Sequence, residues 1–477
     1  MEHVSVGIIQ QRGIAKRTIG AELTNPHPPM IKYLIAMYNA VSVFQACIRI
    51  KDSTSGANKL ASQNGPSSLR ENALQGIRVI DFTWIVAGPQ CTRILADFGA
   101  EVIKVENESS LDYTRGIPPL MGSDSPNKSG LFNTLNRNKR SLTLNVMHPR
   151  GMEVLRDLIS VSDVIVENFS SRVLEKWGLG YVEQRKLRPD IIYCSMSGFG
   201  HSGRDRDYVT WGPTAQALSG LTYMSGLPGH ESAGWGFSYM DHTGGFYGAT
   251  AILMALLHRN QTGEGQHLDL SQVEAGISMT GAAILDFTVN GRPFRREGMP
   301  PGNRAPERQI APHNSYRCKG EDRWCVISVG EEKEWKAMVN AMGNPPWTED
   351  TRFSNMTSRF ENQEELDANI ERWTSEFTPH EVFETLQKAG VPAGAVQTPP
   401  ERTDLDPQLR HRGFLAEVEH DELGMTRVES MPMKMSHTPW KLDSASPLLG
   451  EHSAEIYMDL LGVTPDELNS FYEEGIA

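Results

Sequence analysis

"GIRVIDFTWIVAGPQCTRILADFGAEVIKVE", running from Gly76 to Glu106, decides the fold. Ile77–Asp81 is an apolar run of strand length, Gln90–Phe98 carries helical periodicity, and Val102–Val105 is a second apolar run. Strand, helix and strand with short connections make a crossover unit, whose strands lie parallel. The order repeats downstream, with a helix at Met152–Ser160, a strand at Val164–Val166, a helix near Val173–Arg185 and a strand at Ile191–Ser195. Open parallel sheets hold their ligands at the carboxyl ends of the strands. After the first strand the chain reads "FTWIVAGPQ", without GxGxxG. A nucleotide-type sheet without a redox-cofactor fingerprint is therefore predicted.

A chain of 477 residues is long enough for two or three domains. The net charge of −13, with no basic tail or dense Lys/Arg stripe, excludes a nucleic-acid partner and leaves room for a local patch that meets a small phosphate ligand. The five cysteines, Cys47, Cys91, Cys194, Cys318 and Cys325, are scattered and contain no CxxC. They predict reduced thiols in a cytoplasmic protein, without a disulfide framework or metal site. Ile31–Ile50 is the most apolar early stretch, but Lys32, Asn39, Gln45 and Arg49 interrupt it, so an amphipathic helix is expected and no membrane span.

The polar run Lys51–Asn72 has linker composition. It sets off residues 1–74 as an extension from a large α/β domain over 75–285. Asn290–Tyr316, rich in Gly, Pro and Arg, reads as a long loop. "RWCVISVG" (Arg323–Gly330) then reads as a strand and "EKEWKAMVNAMG" (Glu332–Gly343) as a helix, with two further helices to about Ala389. These place a smaller domain at 286–400, and the helical tail within 401–477 is expected to return to the large one.

The chemistry-bearing stretch is "GFSYMDHTGGFYGATAILMALLHRNQTGEGQHLDLSQ", Gly236–Gln272. Asp241 precedes a double glycine and a long apolar helix, which suits an N-cap. A carboxylate at a helix start also keeps its charge, and flanking glycines allow close approach, which suits a nucleophile. Local sequence leaves both readings open. His258 and His267 flank a helix end at Gly263, "LDLSQ" begins another element, and no metal site emerges.

From residue 75 onward the chain resembles the family III CoA-transferases. The matching blocks, in family order, are Gly76–Glu106, "NRNKRSLTLN" (Asn136–Asn145), "SDVIVENF" (Ser162–Phe169), "IIYCSMSGFG" (Ile191–Gly200), "QALSGL" (Gln216–Leu221), the Asp241 stretch, "VPAGAV" (Val391–Val396) and "PLLGEH" (Pro447–His452). The resemblance implies a Rossmann-like large domain with a smaller α+β domain, in an interlocked homodimer or with a related subunit. It implies that Asp241 attacks an acyl-CoA thioester, with an aspartyl–acyl anhydride and an aspartyl–CoA thioester as intermediates, and that CoA passes to an acceptor carboxylic acid. CoA thioester is then a substrate, and no permanently bound cofactor is expected.

By the same resemblance, N–H groups near Gly244 and Gly245 steady the oxyanions. Val86 and Ala87 meet CoA through their backbone, and Leu144, Asn168 and Phe169 line its site. Lys104, Arg140 and Lys176 meet its phosphates, or are ordinary surface charges. Trp211, Trp235 and Tyr239 shape an apolar acyl pocket, or are core rings. Arg304 and His313 hold the acceptor carboxylate, or face solvent on their loop.

Two departures narrow the reading. Val86 stands where formyl-CoA transferase has Gln, and "GMPPGNRAPERQIAPHNSY" (Gly298–Tyr316) replaces its glycine run. Trp211 stands where the acyl-CoA racemases of the family place a His, and Trp cannot act as a second acid/base. "WGPTAQALSGL" with the loop ending in "HNSYRC" resembles the succinyl-CoA-dependent branch. The alternatives are a racemase or isomerase of the same fold and a non-catalytic CoA-binding partner subunit.

Overall fold

Val79 and Ile80 have no solvent exposure, which is the burial of a strand covered on both faces. They lie in β1 (Arg78–Asp81) of a six-stranded sheet, in a computed structural model that describes residues 72–117, 125–305 and 308–477. The Ile31–Ile50 segment, the linker up to residue 71 and Cys47 lie outside the described residues. The other strands are β2 (Glu101–Glu106), β3 (Lys139–Thr143), β4 (Val164–Glu167), β5 (Ile192–Ser197) and β6 (His267–Ser271). All pairings are parallel, in the order β3-β2-β1-β4-β5-β6. The progression reverses between β1 and β4, and that crevice is where open α/β sheets take their ligands.

The connections are α1 (Ala87–Asp97), α2 (Gly130–Asn136), α3 (Pro149–Ser160), α4 (Val173–Lys176), α5 (Tyr181–Leu187), α6 (Gly212–Leu218) and α7 (Tyr239–Thr262). The helix expected near Val173–Arg185 is thus two helices, because Gly178 between them adopts φ +72. β3 was not expected as a strand, and β6 is the element that "LDLSQ" begins. After β6 come α8 (Gln272–Ser278) and α9 (Gly281–Asn290).

Alternation along the strands splits the core. Ile80, Ile103, Leu142 and Ile165 face Leu155 and Leu158 of α3, and the C-terminal Tyr457, Phe471 and Ile476 join this cluster. Val79, Val102, Val164 and Cys194 face Cys91 and Leu95 of α1 and Ile252 and Leu256 of α7. Helices α1 and α7 approach so closely that a Cβ on Gly245 would meet Gln90 Cγ at 2.7 Å and Ala87 O at 2.8 Å.

Farther on, β7 (His313–Arg317), β8 (Trp324–Ser328) and β9 (Ala393–Ala395) form an antiparallel sheet. With α10 (Glu332–Ala341), α11 (Met356–Glu361), α12 (Gln363–Thr374) and α13 (Pro379–Lys388) they enclose a separate cluster of Tyr316, Cys325, Trp335, Leu366 and Leu386. The stretch read as loop to Tyr316 therefore ends four residues into β7, and α10 is followed by three helices where two were expected. Cys91, Cys194, Cys318 and Cys325 are buried and unpaired. No helix among the described residues is long and apolar enough to cross a membrane.

Candidate active site

Asp241 is the third residue of α7. Ser238 holds the N-cap position, so Asp241 does not cap the helix. Its carboxylate is 9% exposed and gathers neutral donors from three elements. Gln272 Nε2, at the start of α8, donates to Oδ1 at 3.1 Å, while the Gly212 N–H at the start of α6 and the Ser238 hydroxyl are the other donors. Burial pushes the Asp241 carboxyl above its ordinary value, against the pull of these donors. Burial thus opposes the charge-keeping effect that sequence reasoning expected of the helix start. No metal cluster of His, Cys, Asp and Glu occurs among the described residues.

Gly244 and Gly245 lie inside α7, where the regular helix takes their N–H groups into carbonyls one turn back. Their lack of a side chain serves packing against Gln272 and α1, so the oxyanion role expected of them gains nothing from this geometry. His242 is turned to another neighbour, its ring stacked on Phe237 with centroids 5.1 Å apart.

The turn after β1 is clamped at the switch point. Asn168 Oδ1 accepts from the Trp84 N–H at 2.7 Å and Asn168 Nδ2 donates to Trp84 O at 2.8 Å. Ile85, a β-branched residue at φ +69, has its N–H held by Asp112 Oδ1 at 3.0 Å. Phe169 packs edge-on against Trp84 with centroids 5.7 Å apart. Val86 and Ala87 follow the turn and are buried as they enter α1.

Several expected CoA contacts are placed elsewhere. Lys104 is fully buried, donating to Thr83 O at 2.7 Å and Asp112 Oδ2 at 2.9 Å, so it props the turn and cannot reach a phosphate. Leu144 is a core side chain. Arg140 is engaged by Glu101 and Glu455. Lys176 is exposed on α4. Sequence reasoning missed Gln272, Gly212, Asp112 and the buried Lys139, whose Nζ meets Asp81 Oδ2 at 2.9 Å and which burial pulls down to about 8. Lys139 gave no local signal, because β3 itself was not expected as a strand.

Trp211 precedes Gly212 and Tyr239 lies two residues before Asp241; they are 52% and 39% exposed, so they are not core rings. Arg304 pairs with Asp367 of α12 at 3.4 Å, and His313 Nδ1 shares a hydrogen bond with Ser328 Oγ at 2.8 Å. His313 lines a cavity of about 460 Å³ with Asn303, Ser315 and Ser328. These contacts belong to the β7–β8 region and none of them involves Asp241 or its three donors.

Residues 74–453 match the family model described as CoA-transferase family III. The succinyl-CoA–D-citramalate CoA-transferase of Chloroflexus aurantiacus is 33% identical over 411 residues, covering 86% of this chain and 98% of that protein. The succinyl-CoA–L-malate CoA-transferase beta subunit of the same organism is 32% identical, over 83% of this chain and 96% of its own. A solved CAIB/BAIF family protein from Brucella suis superposes with a TM-score of 0.75 at 31% identity, covering 82% of this chain and 99% of that one. The chain belongs to CoA-transferase family III and is a CoA-transferase enzyme.

Proposed function

We propose that this member of CoA-transferase family III moves CoA from a succinyl-CoA-like donor to a carboxylic acid acceptor through covalent intermediates on Asp241. An Asp241 oxygen attacks the thioester carbonyl, the C–S bond breaks, and CoA thiolate leaves an aspartyl–acyl anhydride. The thiolate attacks the aspartyl carbonyl, releasing the donor acid and giving an aspartyl–CoA thioester. The acceptor carboxylate attacks that carbonyl and expels the thiolate, which then attacks the acceptor's acyl carbon and returns Asp241 as carboxylate. Charge is conserved and no proton moves.

The observation that carries this reading is the setting of Asp241, a secluded carboxylate held by three neutral donors and, among the described residues, by no ion-pair partner. Such a group is oriented for attack without being neutralised by an ion pair. None of these three partners is a titratable acid or base, which supports acyl transfer over α-proton exchange. The CoA chain would enter over Val86 and Ala87, at the clamped turn, with Asn168 and Phe169 beside it.

The exposed Phe246, Met254 and Leu257 of α7 and Leu285, Phe287 and Val289 of α9 favour a second copy as their cover, in a homodimer. A related subunit is the alternative partner, since one relative is named a beta subunit. We assign 75–285 to the large domain, 286–400 to the small one and 401–477 to a returning segment. The four buried free thiols favour a cytoplasmic setting.

The test is incubation with succinyl-CoA and a panel of acids, following new CoA thioesters by mass. Asp241→Ala is expected to abolish transfer, and hydroxylamine to trap an adduct at Asp241 of the wild type alone. Full activity in Asp241→Ala would overturn the mechanism.

A further inference from the structure

Two glutamine side chains lie against the double glycine one helical turn beyond Asp241. A Cβ on Gly244 would meet Gln272 Cγ at 3.2 Å, and a Cβ on Gly245 would meet Gln90 Cγ at 2.7 Å and Gln90 Cβ at 2.8 Å. Positions three and four residues on from Asp241 share its side of the helix. The Gln272 stem that crosses Gly244 carries its amide to Asp241 Oδ1, at 3.1 Å. The Gln90 stem crosses the neighbouring glycine, so its amide has the same span of one side chain toward the carboxylate.

The packing of α1 on α7 gives the direction. Gly245 meets Ala87 and Gln90, and the Cβ position of Gly248 lies 3.1 Å from Cys91 Sγ, so the two helices run side by side in the same sense. Helical side chains lean toward the N-terminus of their own helix. On α1 that end is the clamped turn, and on α7 the turn before Gly245 carries Asp241. The Gln90 side chain therefore leans toward the gap between Asp241 and the turn that ends in Val86. It is 3% exposed, yet among the described residues neither of its amide atoms has a hydrogen-bond partner or is sealed from solvent. An amide held this deep is left open to a bound group.

The donors around Asp241 are already spent. Gln272, Ser238 and the Gly212 N–H hold the carboxylate itself, and the N–H groups of Gly244 and Gly245 belong to the helix. Attack on a thioester places negative charge on the carbonyl oxygen, and a preorganised neutral donor aimed there lowers the barrier. We propose that Gln90 is a further catalytic residue, whose Nε2 donates to the carbonyl oxygen of the acyl group under attack by Asp241. As the Asp241 oxygen bonds to the carbonyl carbon, the π pair moves onto that oxygen. The pair returns as the C–S bond breaks and CoA thiolate leaves, and the amide keeps its protons throughout. This rests on Asp241 being the acyl-accepting carboxylate.

Self-exchange tests it. The full chain is given succinyl-CoA and isotopically labelled succinate, and label entering the thioester is read by mass. Gln90→Met keeps the stem and the volume and removes the donor. Its kcat is expected to fall about a hundredfold, with KM for succinyl-CoA within about threefold of wild type, because the bond strengthens only in the transition state. The thioether S-(3-carboxypropyl)-CoA, which lacks the carbonyl oxygen, is expected to inhibit both proteins equally. The acid limb set by Asp241 ionisation is expected to stay in place, since Gln90 is not among the donors to that carboxylate. Gln90→Glu keeps the shape with a tip that only accepts when ionised, and is expected to lose at least as much at neutral pH. Wild-type kcat in either variant, or a loss confined to KM, overturns the inference and leaves CoA transfer standing. A fall in kcat with a shifted acid limb or weaker thioether binding assigns Gln90 to packing of the site and also overturns it. Absence of exchange and of any Asp241 adduct in the wild type overturns the underlying reading as well.

Discussion

A Cβ on Gly212 would stand 2.3 Å from Asp241 Oδ2 and 2.8 Å from its Cγ. The backbone of α6 therefore reaches the carboxylate only because residue 212 has no side chain. Gly212→Ala must push the carboxylate off its donors, whereas alanine at a helix start is harmless to the helix itself. Displacement of about 1 Å at a reacting group costs on the order of a hundredfold in rate. Gly212→Ala is expected to lose about that much kcat/KM with an unchanged far-ultraviolet spectrum. Wild-type activity in this variant would show that the Gly212 contact is incidental.

What the sequence disclosed and concealed follows from where the signals lie. The crossover Gly76–Glu106 was legible because β1 and β2 carry buried apolar residues on both faces, Val79 and Val102 on one and Ile80 and Ile103 on the other. β3 was not, since Lys139-Arg140-Ser141 reads as a polar surface. Lys139 is in fact buried against Asp81, and Arg140 is paired with Glu101. Charge cancelled by a distant partner has no local signature. The same reason misplaced Lys104, whose partner Asp112 and prop at Thr83 are known only from the fold. Asp241 could be singled out, but not its donors, because Gln272 lies 31 residues further on and Gly212 on another helix.

The Asn168 clamp on Trp84 makes a second expectation. Ile85 holds a left-handed backbone that costs a β-branched residue about 1–3 kcal/mol, and Asn168 and Asp112 keep it there. Asn168→Ala removes both bonds to Trp84 and releases the turn that leads to Val86 and Ala87. KM for acyl-CoA is expected to rise by about tenfold with a smaller change in kcat. Asn168→Asp keeps the acceptor for the Trp84 N–H, loses the donor to its carbonyl, and should recover part of the affinity. A fall in kcat with KM untouched would argue against a role for the turn in CoA binding.

The double glycine separates packing from catalysis. Gly245→Ala drives a methyl into Gln90 Cγ and the Ala87 carbonyl, and backbone cannot yield as a side chain does. Overpacking of this kind costs about 1–3 kcal/mol, which outweighs the gain of at most about 1 kcal/mol in helix propensity. Gly244→Ala meets only the flexible Gln272 side chain, at 3.2 Å. Urea denaturation should find Gly245→Ala clearly less stable than wild type and Gly244→Ala close to it. Equal stability of the two would remove close packing as the reason for Gly245.

The charge state of Asp241 yields the pH prediction. Burial raises its carboxyl above the ordinary value, and the Gln272 amide, the Ser238 hydroxyl and the Gly212 N–H pull it back down. In the proposed mechanism only the ionised form attacks a thioester, so kcat/KM is expected to show an acid limb set by this group. Gln272→Leu keeps the site filled but removes the first of those donors, which favours the protonated form. The limb is therefore expected to move toward neutral pH, with the largest losses at acid pH and a smaller residual loss above the limb. Linkage runs the same way. A carboxyl whose folded value lies above its unfolded one stays protonated longer in the native state, so stability falls as pH rises between the two values. Gln272→Leu raises the folded value and should extend that fall to higher pH. Activity profiles and melting temperatures measured across the same pH series give both readouts, and an acid limb that stays in place or moves down would exclude the Gln272 amide as a determinant of Asp241 ionisation.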